Sequence, residues 1–215
     1  MSRIAIKICG LSSSEALDAA LDGGASHVGF VLFPKSPRHV GTDRLAQLSA
    51  QVPSHVTRVA VVVDPDDALL ETIMEAGRVD AVQLHGCEQP ERLAAIRGRF
   101  PGLDLWKAIP VRTGADIATA NIYRGLADLI LFDAKTPDGA ALPGGMGLRF
   151  DWKLLAGREP RAAWGLSGGL DPANIAEAIR VTSASLVDVS SGVESAPGIK
   201  DVDKIAAFCK AVQQS

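Results

Sequence analysis

The feature that most constrains the fold is a regular alternation of short β-branched runs with longer amphipathic stretches along all 215 residues. The short runs are typical of buried strands, and apolar residues spaced by three or four are typical of helices packed on them. The predicted strands are Ile4–Ile8, His27–Phe33, Arg58–Val63, Ala81–Leu84, Leu103–Ala108, Leu129–Phe132, Ala163–Leu166 and Leu186–Val189. The predicted helices are Ser13–Asp22, Asp43–Gln51, Asp66–Ala76, Gln89–Arg97, Gly114–Ala120, a shorter one from Asp151, Pro172–Val181 and Val202–Val212.

Eight strand–helix units of roughly 27 residues each are close to the minimum for a complete barrel. A doubly wound open sheet is the structural alternative, but it needs fewer strands and usually a glycine fingerprint after the first one. Here the first strand is followed by Cys9-Gly10-Leu11-Ser12, which is not that fingerprint. No linker or change in composition divides the chain. We therefore predict the α/β class, with residues 1–215 forming a single (β/α)8 TIM-barrel domain.

Composition excludes several kinds of partner. A net charge of −3 and a pI near 5.8 provide no basic field for nucleic acid or for an anionic lipid surface. No apolar run is long enough to span a bilayer, and no signal-peptide pattern is present, so a cytoplasmic location is expected. The three cysteines suggest neither a disulfide framework nor a zinc site, and no other metal-ligand spacing occurs.

Two small-residue loops follow the seventh and eighth predicted strands. The first contains Ser167, Gly168 and Gly169, and the second contains Ser190, Ser191 and Gly192. Glycine and serine let the backbone approach a ligand closely, and the amides at a helix start point toward an anion. Many barrels bind phosphate with the loops after these two strands. The pattern therefore predicts a small phosphorylated substrate.

Strand alternation predicts which side chains point into the barrel. In the first strand, Cys9 is expected to face inward at the mouth, with Lys7 one layer below it. That cation would favour the thiolate and lower its pKa from about 8.5, preparing a base or a nucleophile. The alternative is that Cys9 is simply a small buried apolar residue, as most free cysteines are.

Three further polar residues reach the mouth by the same parity. Asp133 ends the sixth strand and is a natural general acid, unless it only caps a helix or anchors a loop. Asp188 in the eighth strand is expected to pair with Lys7 rather than to act as a third acid. His85 is expected to contact ligand, to pack, or to take part in catalysis, and the sequence leaves these roles open.

Two loops complete the candidate site. Arg38 follows two prolines that would stiffen its loop and hold the guanidinium to bind a carboxylate, although a solvated surface arginine is the alternative. Residues 133–150 contain four glycines and two prolines without periodicity. A loop of this length at the end of a strand predicts a closing lid, with a floppy insertion as the alternative.

These segments together resemble the phosphoribosylanthranilate isomerase family of tryptophan biosynthesis. The matching segments run in order along the chain: Lys7-Ile-Cys-Gly10, Gly29 to Arg38, Val82-Gln-Leu-His-Gly86, Leu131-Phe-Asp133, Gly144-Gly-Met-Gly147, Phe150-Asp-Trp152, Leu166-Ser-Gly-Gly-Leu170 and Val187 to Glu194. The departures are minor: Met146 stands where the family commonly has threonine, and Ser167 where it commonly has alanine.

The resemblance implies a reaction and a set of roles. The family performs an Amadori rearrangement of N-(5-phosphoribosyl)anthranilate to 1-(2-carboxyphenylamino)-1-deoxyribulose 5-phosphate. By resemblance, Asp133 is the general acid and Cys9 the general base, Arg38 binds the anthranilate carboxylate, and the two glycine–serine loops bind phosphate. His85 and Asp188 lie in matching segments without an assigned chemical step. The chemistry needs no cofactor and no metal, and family members are monomers or homodimers.

Two other functions compete with this one. The related histidine-pathway isomerase, or a relative that serves both pathways, has a carboxylate where this chain has Cys9, and binds two phosphates. A phosphosugar-binding module without activity would keep the phosphate loops but would not need an inward thiol and an inward carboxylate. The presence of both side chains favours an enzyme.

Overall fold

The structure is a computed structural model that describes residues 4–137, 143–157 and 163–215. Eight parallel strands close into a barrel in chain order, β1 pairing with both β2 and β8. The strands are β1 Ala5–Cys9, β2 His27–Val31, β3 Thr57–Val62, β4 Ala81–Leu84, β5 Asp104–Val111, β6 Leu129–Ala134, β7 Trp164–Leu166 and β8 Leu186–Val189. The fold prediction of a single α/β barrel is confirmed in its eight-stranded closure.

Helices between the strands form the outer layer. They are α1 Ser14–Asp22, α2 Thr42–Ser49, α3 Asp67–Gly77, α4 Pro90–Arg99, α5 Gly114–Ala118, α6 Ile175–Thr182 and α7 Val202–Gln213. Several begin at side chains that cap the first turn: Ser13, Asp66 and Asp201 each accept a hydrogen bond from a backbone amide two or three positions into the helix. No helix in the described ranges is both long enough and apolar enough to cross a bilayer.

The lower part of the barrel interior is an apolar plug. Its buried side chains come from five different strands: Val59, Ala81, Trp106, Leu131 and Leu186. Gly165 makes room for it, because a Cβ there would lie 2.5 Å from a methyl carbon of Leu186. This plug closes the barrel from below, and the polar side chains of the candidate site lie above it, toward the carboxyl ends of the strands, as in other barrels of this kind.

The outward strand positions carry aliphatic and aromatic residues buried under the helices. Ile6 and Ile8 of β1 and Phe30 of β2 are almost fully buried on this side. The parity predicted for β1, β6 and β8 is confirmed, since Lys7 and Leu131 are buried in the interior while Ile8 packs in the outer core. The correct parity brings the predicted catalytic side chains to the open end.

The structure differs from the prediction at several element ends. Strand β5 runs on to Val111, and the predicted short helix from Asp151 is a single 3-10 turn, Trp152–Leu155. Another 3-10 turn, Thr119–Tyr123, continues α5. A small antiparallel hairpin, β9 Glu194–Ala196 with β10 Ile199–Lys200, was not predicted, because runs of two or three residues carry no readable alternation.

His27 makes the stability of the barrel sensitive to acid. Its ring lies inside the barrel, 5.3 Å from the ring of Trp106, and its Nδ1 is 2.9 Å from the hydroxyl of Ser26. Burial, with the positive charge of Lys7, lowers the pKa of His27 to about 4. The unfolded chain therefore binds this proton from about pH 6.5 downward while the folded chain does not.

We expect the free energy of unfolding to fall between pH 6.5 and pH 4, by up to about 3 kcal/mol from this residue. Urea denaturation at pH 7 and pH 4.5 measures the loss. In the His27→Gln variant the loss should be smaller by most of that amount. An equal loss in both proteins would show that His27 does not cause the acid sensitivity.

Candidate active site

A cleft of about 820 Å³, counting its open mouth, lies at the carboxyl ends of the strands. Its walls include most of the predicted site residues: Cys9, Arg38, His85, Asp133, Ser167, Gly168, Gly169, Asp188, Ser190 and Ser191. Gly192 lies behind this wall rather than on it. Among the described residues, no three His, Cys, Asp or Glu side chains cluster as ligands of a metal would.

The floor of the cleft is a buried ion pair beneath the thiol of Cys9. Lys7 Nζ donates to Asp188 Oδ1 over 2.9 Å, and both side chains are almost completely buried. The two residues face each other in the register that joins β1 to β8. Gly29 on β2 leaves room beside them, because a Cβ there would lie 3.0 Å from Cys9 Sγ and 3.2 Å from Lys7 Nζ. The predicted pairing of Asp188 with Lys7 is therefore present.

Lys7 was expected to lower the pKa of the Cys9 thiol, but burial of the thiol outweighs the charge of Lys7. Burial raises the pKa of the Cys9 thiol, and the carboxylate of Asp188 raises it further, against the opposing charges of Lys7 and Lys200. The prediction of a lowered pKa was wrong, because desolvation of the buried thiol outweighs the charge of Lys7, whose effect Asp188 partly offsets. A thiolate formed here is correspondingly a stronger proton acceptor.

The carboxylate of Asp133 is held from two sides. Its Oδ1 accepts from the amide of Ala134 over 2.8 Å, and its Oδ2 lies 3.1 Å from His85 Nε2. The Nδ1 atom of His85 is 3.1 Å from Gln83 Nε2. An amide nitrogen that donates to Nδ1 is compatible with a neutral ring that carries its proton on Nε2, facing Asp133. The contact explains His85, whose role the sequence left open; Gln83 was missed, although strand parity also points it inward.

A second buried ion pair supports His85 from outside the barrel. Lys107 Nζ donates to Glu88 Oε2 over 2.9 Å and contacts the carbonyls of Leu84 and Gly86, which flank His85 in the chain. The carboxylate of Glu88 also accepts from the amide of Gly86. The ion pair therefore fixes the backbone on both sides of the histidine. No sequence pattern indicated this ion pair, since Lys107 and Glu88 belong to different strand–helix units.

The two glycine–serine loops meet at the wall of the cleft. Gly168 and Gly169 have φ values of +90° and +63°, and within the described parts of the chain their amides donate to no backbone carbonyl. Ser191 and Gly192 begin the 3-10 turn Ser191–Val193, so their amides have no partner within the turn. Gly192 packs so tightly that a Cβ would lie 1.9 Å from the carbonyl oxygen of Leu170. Among the described residues, the amides of Gly168, Gly169, Ser191 and Gly192 are unpaired on two adjacent loops, an arrangement typical of anion-binding nests, and we call them the anion nest.

Part of the predicted lid covers the cleft, and residues 138–142 of that loop lie outside the described ranges. Gly144 lies close to the carboxyl group of Asp133, because a Cβ at this position would be 2.7 Å from His85 Nε2 and 2.8 Å from Asp133 Oδ2. Beyond it, Arg149 anchors the segment by donating to the carbonyl of Gly169 and to Asp171. The described part of the loop thus approaches Asp133 and contacts the anion nest.

Arg38 is buried at the opposite edge of the cleft and is not a solvated surface residue. Its Nε and Nη2 donate to the two oxygens of Glu194 over 2.7 and 2.8 Å, and Nη2 also donates to the carbonyl of Gly145 over 3.0 Å. Within the described ranges, Nη1 of Arg38 donates to no residue. This nitrogen is therefore available to a ligand in the cleft.

Comparisons with known proteins agree with this geometry. The family model described as N-(5'phosphoribosyl)anthranilate (PRA) isomerase matches residues 6–211. The N-(5'-phosphoribosyl)anthranilate isomerase of Zymomonas mobilis subsp. pomaceae is 55% identical over 207 residues, which are 96% of this chain and 97% of that protein.

Solved structures are similar over the whole barrel. The phosphoribosyl anthranilate isomerase of Thermotoga maritima has a TM-score of 0.88 and 36% identity, covering 99% of this chain and 100% of that one. A phosphoribosyl anthranilate isomerase in complex with reduced 1-(o-carboxyphenylamino)-1-deoxyribulose 5-phosphate has a TM-score of 0.85 and 34% identity, with coverage of 99% and 100%.

The raised pKa of Cys9 predicts slow alkylation. In a Cys87→Ser variant, which lacks the exposed thiol, we expect the iodoacetamide reaction at Cys9 to reach half its maximal rate above pH 8.5, the value of an ordinary thiol. Mass spectrometry separates this site from Cys209, whose burial raises its pKa to about 11. Half-maximal reaction below pH 8.5 would show that Lys7 outweighs burial.

Proposed function

Because this chain belongs to the N-(5'-phosphoribosyl)anthranilate isomerase family, we propose that Cys9 and Asp133 perform the isomerisation as general base and general acid. The chain is an isomerase of tryptophan biosynthesis that converts N-(5-phosphoribosyl)anthranilate to 1-(2-carboxyphenylamino)-1-deoxyribulose 5-phosphate. The observation that carries the residue assignment is the placing of one buried thiol and one buried carboxylate in the wall of the same cleft, beside an anion nest.

The first step opens the sugar ring. Asp133 donates a proton to the furanose ring oxygen, the bond from that oxygen to C1 breaks, and the anthranilate nitrogen forms the protonated Schiff base. The contact between His85 Nε2 and Asp133 Oδ2, together with the amide of Ala134 on Oδ1, fixes the direction in which the carboxyl group points. Such positioned acids contribute about 10²–10⁴-fold to the rate.

The second step moves a proton from carbon. The thiolate of Cys9 removes the C2 proton, whose bonding electrons neutralise the Schiff base and give an enolamine. The enolamine then becomes the ketone, C1 gaining a proton as the C2 hydroxyl loses one. Carbon 2 is oxidised and carbon 1 reduced by the same amount, so the reaction consumes no external oxidant or reductant. Burial, which raises the pKa of Cys9, makes its thiolate a stronger base and lowers the fraction of enzyme that carries the thiolate at neutral pH.

Two anchors hold the substrate across the cleft. The amides of Gly168, Gly169, Ser191 and Gly192 are suited to the 5-phosphate, since unpaired amides favour an anion. Arg38 Nη1 is suited to the anthranilate carboxylate through a charge-assisted hydrogen bond. With both ends held, C1, C2 and the ring oxygen lie between Cys9 and Asp133, and the lid glycines cover them.

The cellular location, the oligomeric state and the partners of the protein stay predictions. We expect a cytoplasmic enzyme, either monomeric or a homodimer, with no nucleic-acid or membrane partner. Sedimentation of the purified protein measures its oligomeric state directly.

The activity itself is tested by mixing purified protein with freshly generated phosphoribosylanthranilate and following the loss of its fluorescence. We expect loss faster than spontaneous hydrolysis, with the ribulose product identified. Cys9→Ala and Asp133→Asn should each lower kcat by about 10²-fold or more with little change in KM, because each group acts in the transition state. A large rise in KM with kcat intact would make either residue a binding group.

The phosphate nest is tested by Gly192→Ala. The added methyl group collides with the carbonyl of Leu170 and must displace one of the two loops. We expect KM to rise by about ten-fold or more, and competitive inhibition by inorganic phosphate to weaken in parallel. Gly98→Ala is the control, because a Cβ at that helix position contacts nothing within 4 Å. Unchanged inhibition by phosphate in Gly192→Ala would exclude this loop from the anion site.

A further inference from the structure

Arg38 lies in a slot that is shaped on several sides. A Cβ on Gly10, which has a φ of +77°, would lie 2.6 Å from Arg38 Cδ, and one on Gly145 would lie 2.6 Å from Nη1. Glu194 closes the slot by binding Nε and Nη2 together. Because a bidentate pair fixes the plane of the guanidinium as well as its position, only the Nη1 edge is left for a ligand.

Glu194 is shared with a second buried cation. Its Oε1 accepts from Arg38 Nε and also from Lys200 Nζ, each over 2.7 Å. Lys200 also donates to the carbonyl oxygen of Ser190 over 2.9 Å and approaches its hydroxyl at 3.3 Å. The side chain of Lys200 is 1% exposed. The ammonium of Lys200 therefore links Glu194, which binds Arg38, to Ser190, the first residue of the glycine–serine loop after β8. We call this loop the β8 anion loop.

The electrostatics require the three charges to stay together. Burial opposes ionisation of Glu194, but the hydrogen bonds and charges of Arg38 and Lys200 outweigh it and hold the pKa of that carboxyl below its usual range. Burial lowers the pKa of Lys200 despite the attraction of Glu194. Removing one member of such a buried group leaves the others without a partner, so they move.

We propose that Glu194 and Lys200, carried by the β9–β10 hairpin, are positioning residues for substrate recognition. Glu194 orients Arg38 so that a ligand carboxylate meets Nη1, and Lys200 couples that orientation to the shape of the β8 anion loop. The two ends of a substrate that carries a carboxylate and a phosphate are then recognised by one hydrogen-bonded unit: Ser190, Lys200, Glu194 and Arg38. This inference rests on the proposed roles of Arg38 and of the glycine–serine loops.

The test uses two fragments of the substrate as competitive inhibitors of the full-length enzyme: anthranilate for the Arg38 end and inorganic phosphate for the anion nest. In Glu194→Gln we expect inhibition by anthranilate to weaken about ten-fold, while inhibition by phosphate changes by less than about two-fold. In Lys200→Met we expect inhibition by anthranilate and by phosphate each to weaken by at least about three-fold, because Lys200 contacts both Glu194 and Ser190. A purely structural role would not produce this difference between the two probes.

Lys204→Met is the matched control. Lys204 lies in the first turn of α7 and donates to the backbone carbonyl of Glu194, so its loss removes an ammonium that contacts the hairpin without touching the carboxylate. We expect wild-type inhibition by both probes. Lys200→Arg keeps the cation and should restore most of the loss. Circular dichroism confirms that each variant is folded, and Lys200→Gln replaces Lys200→Met if the latter is not.

The outcomes separate the inference from the proposed function. If Arg38→Met weakens anthranilate inhibition while folded Glu194→Gln and Lys200 variants behave as the wild type, the positioning role is wrong and the proposed function stands. If Lys200→Met weakens only one probe, the coupling is wrong. If Arg38→Met leaves anthranilate inhibition unchanged, the assignment of the carboxylate to Arg38 is wrong, and this inference is wrong with it.

Discussion

The buried ion pair of Lys7 and Asp188 is the interaction on which the site depends. The two residues belong to the first and last strands of the barrel and face each other where those strands pair. A charge in this interior is tolerated only with a partner, because its desolvation is not otherwise compensated. The pair therefore links closure of the barrel to the polar floor of the cleft, directly below Cys9. Loss of either partner leaves a buried charge and disturbs the surroundings of the Cys9 thiol at the same time.

Close backbone approach is the second constraint, and it organises the mouth of the barrel. Gly29 leaves room for the thiol of Cys9 and the ammonium of Lys7. Gly144 lies close to Asp133 and His85, and Gly192 packs against the carbonyl of Leu170. In each case a methyl group would occupy space that a functional atom or a neighbouring loop already fills. These glycines matter for the atoms that they let meet.

Much of this was predictable because it depends on local pattern. Alternation placed Cys9, Asp133 and Asp188 inward, and the eight repeated units indicated the barrel. Contacts between strand–helix units were harder to predict. The contact of His85 with Asp133 joins the end of β4 to β6, and the ion pair of Glu194 with Arg38 joins residues 156 positions apart. The hairpin that carries Glu194 and Lys200 is too short to show alternation. The pKa of Cys9 was predicted in the wrong direction, because burial is a property of the folded environment.

The sequence by itself determined the order of the eight barrel strands and of the main helices, the inward parity of β1, β6 and β8, and the family, because all of these follow from neighbouring residues and ordered motifs. Only the tertiary structure decided which charges are neutralised: Lys7 by Asp188, Lys107 by Glu88, and Arg38 with Lys200 by Glu194. The physical reason is that desolvation and Coulomb energy depend on distances across the fold, and strand order and side-chain packing set those distances.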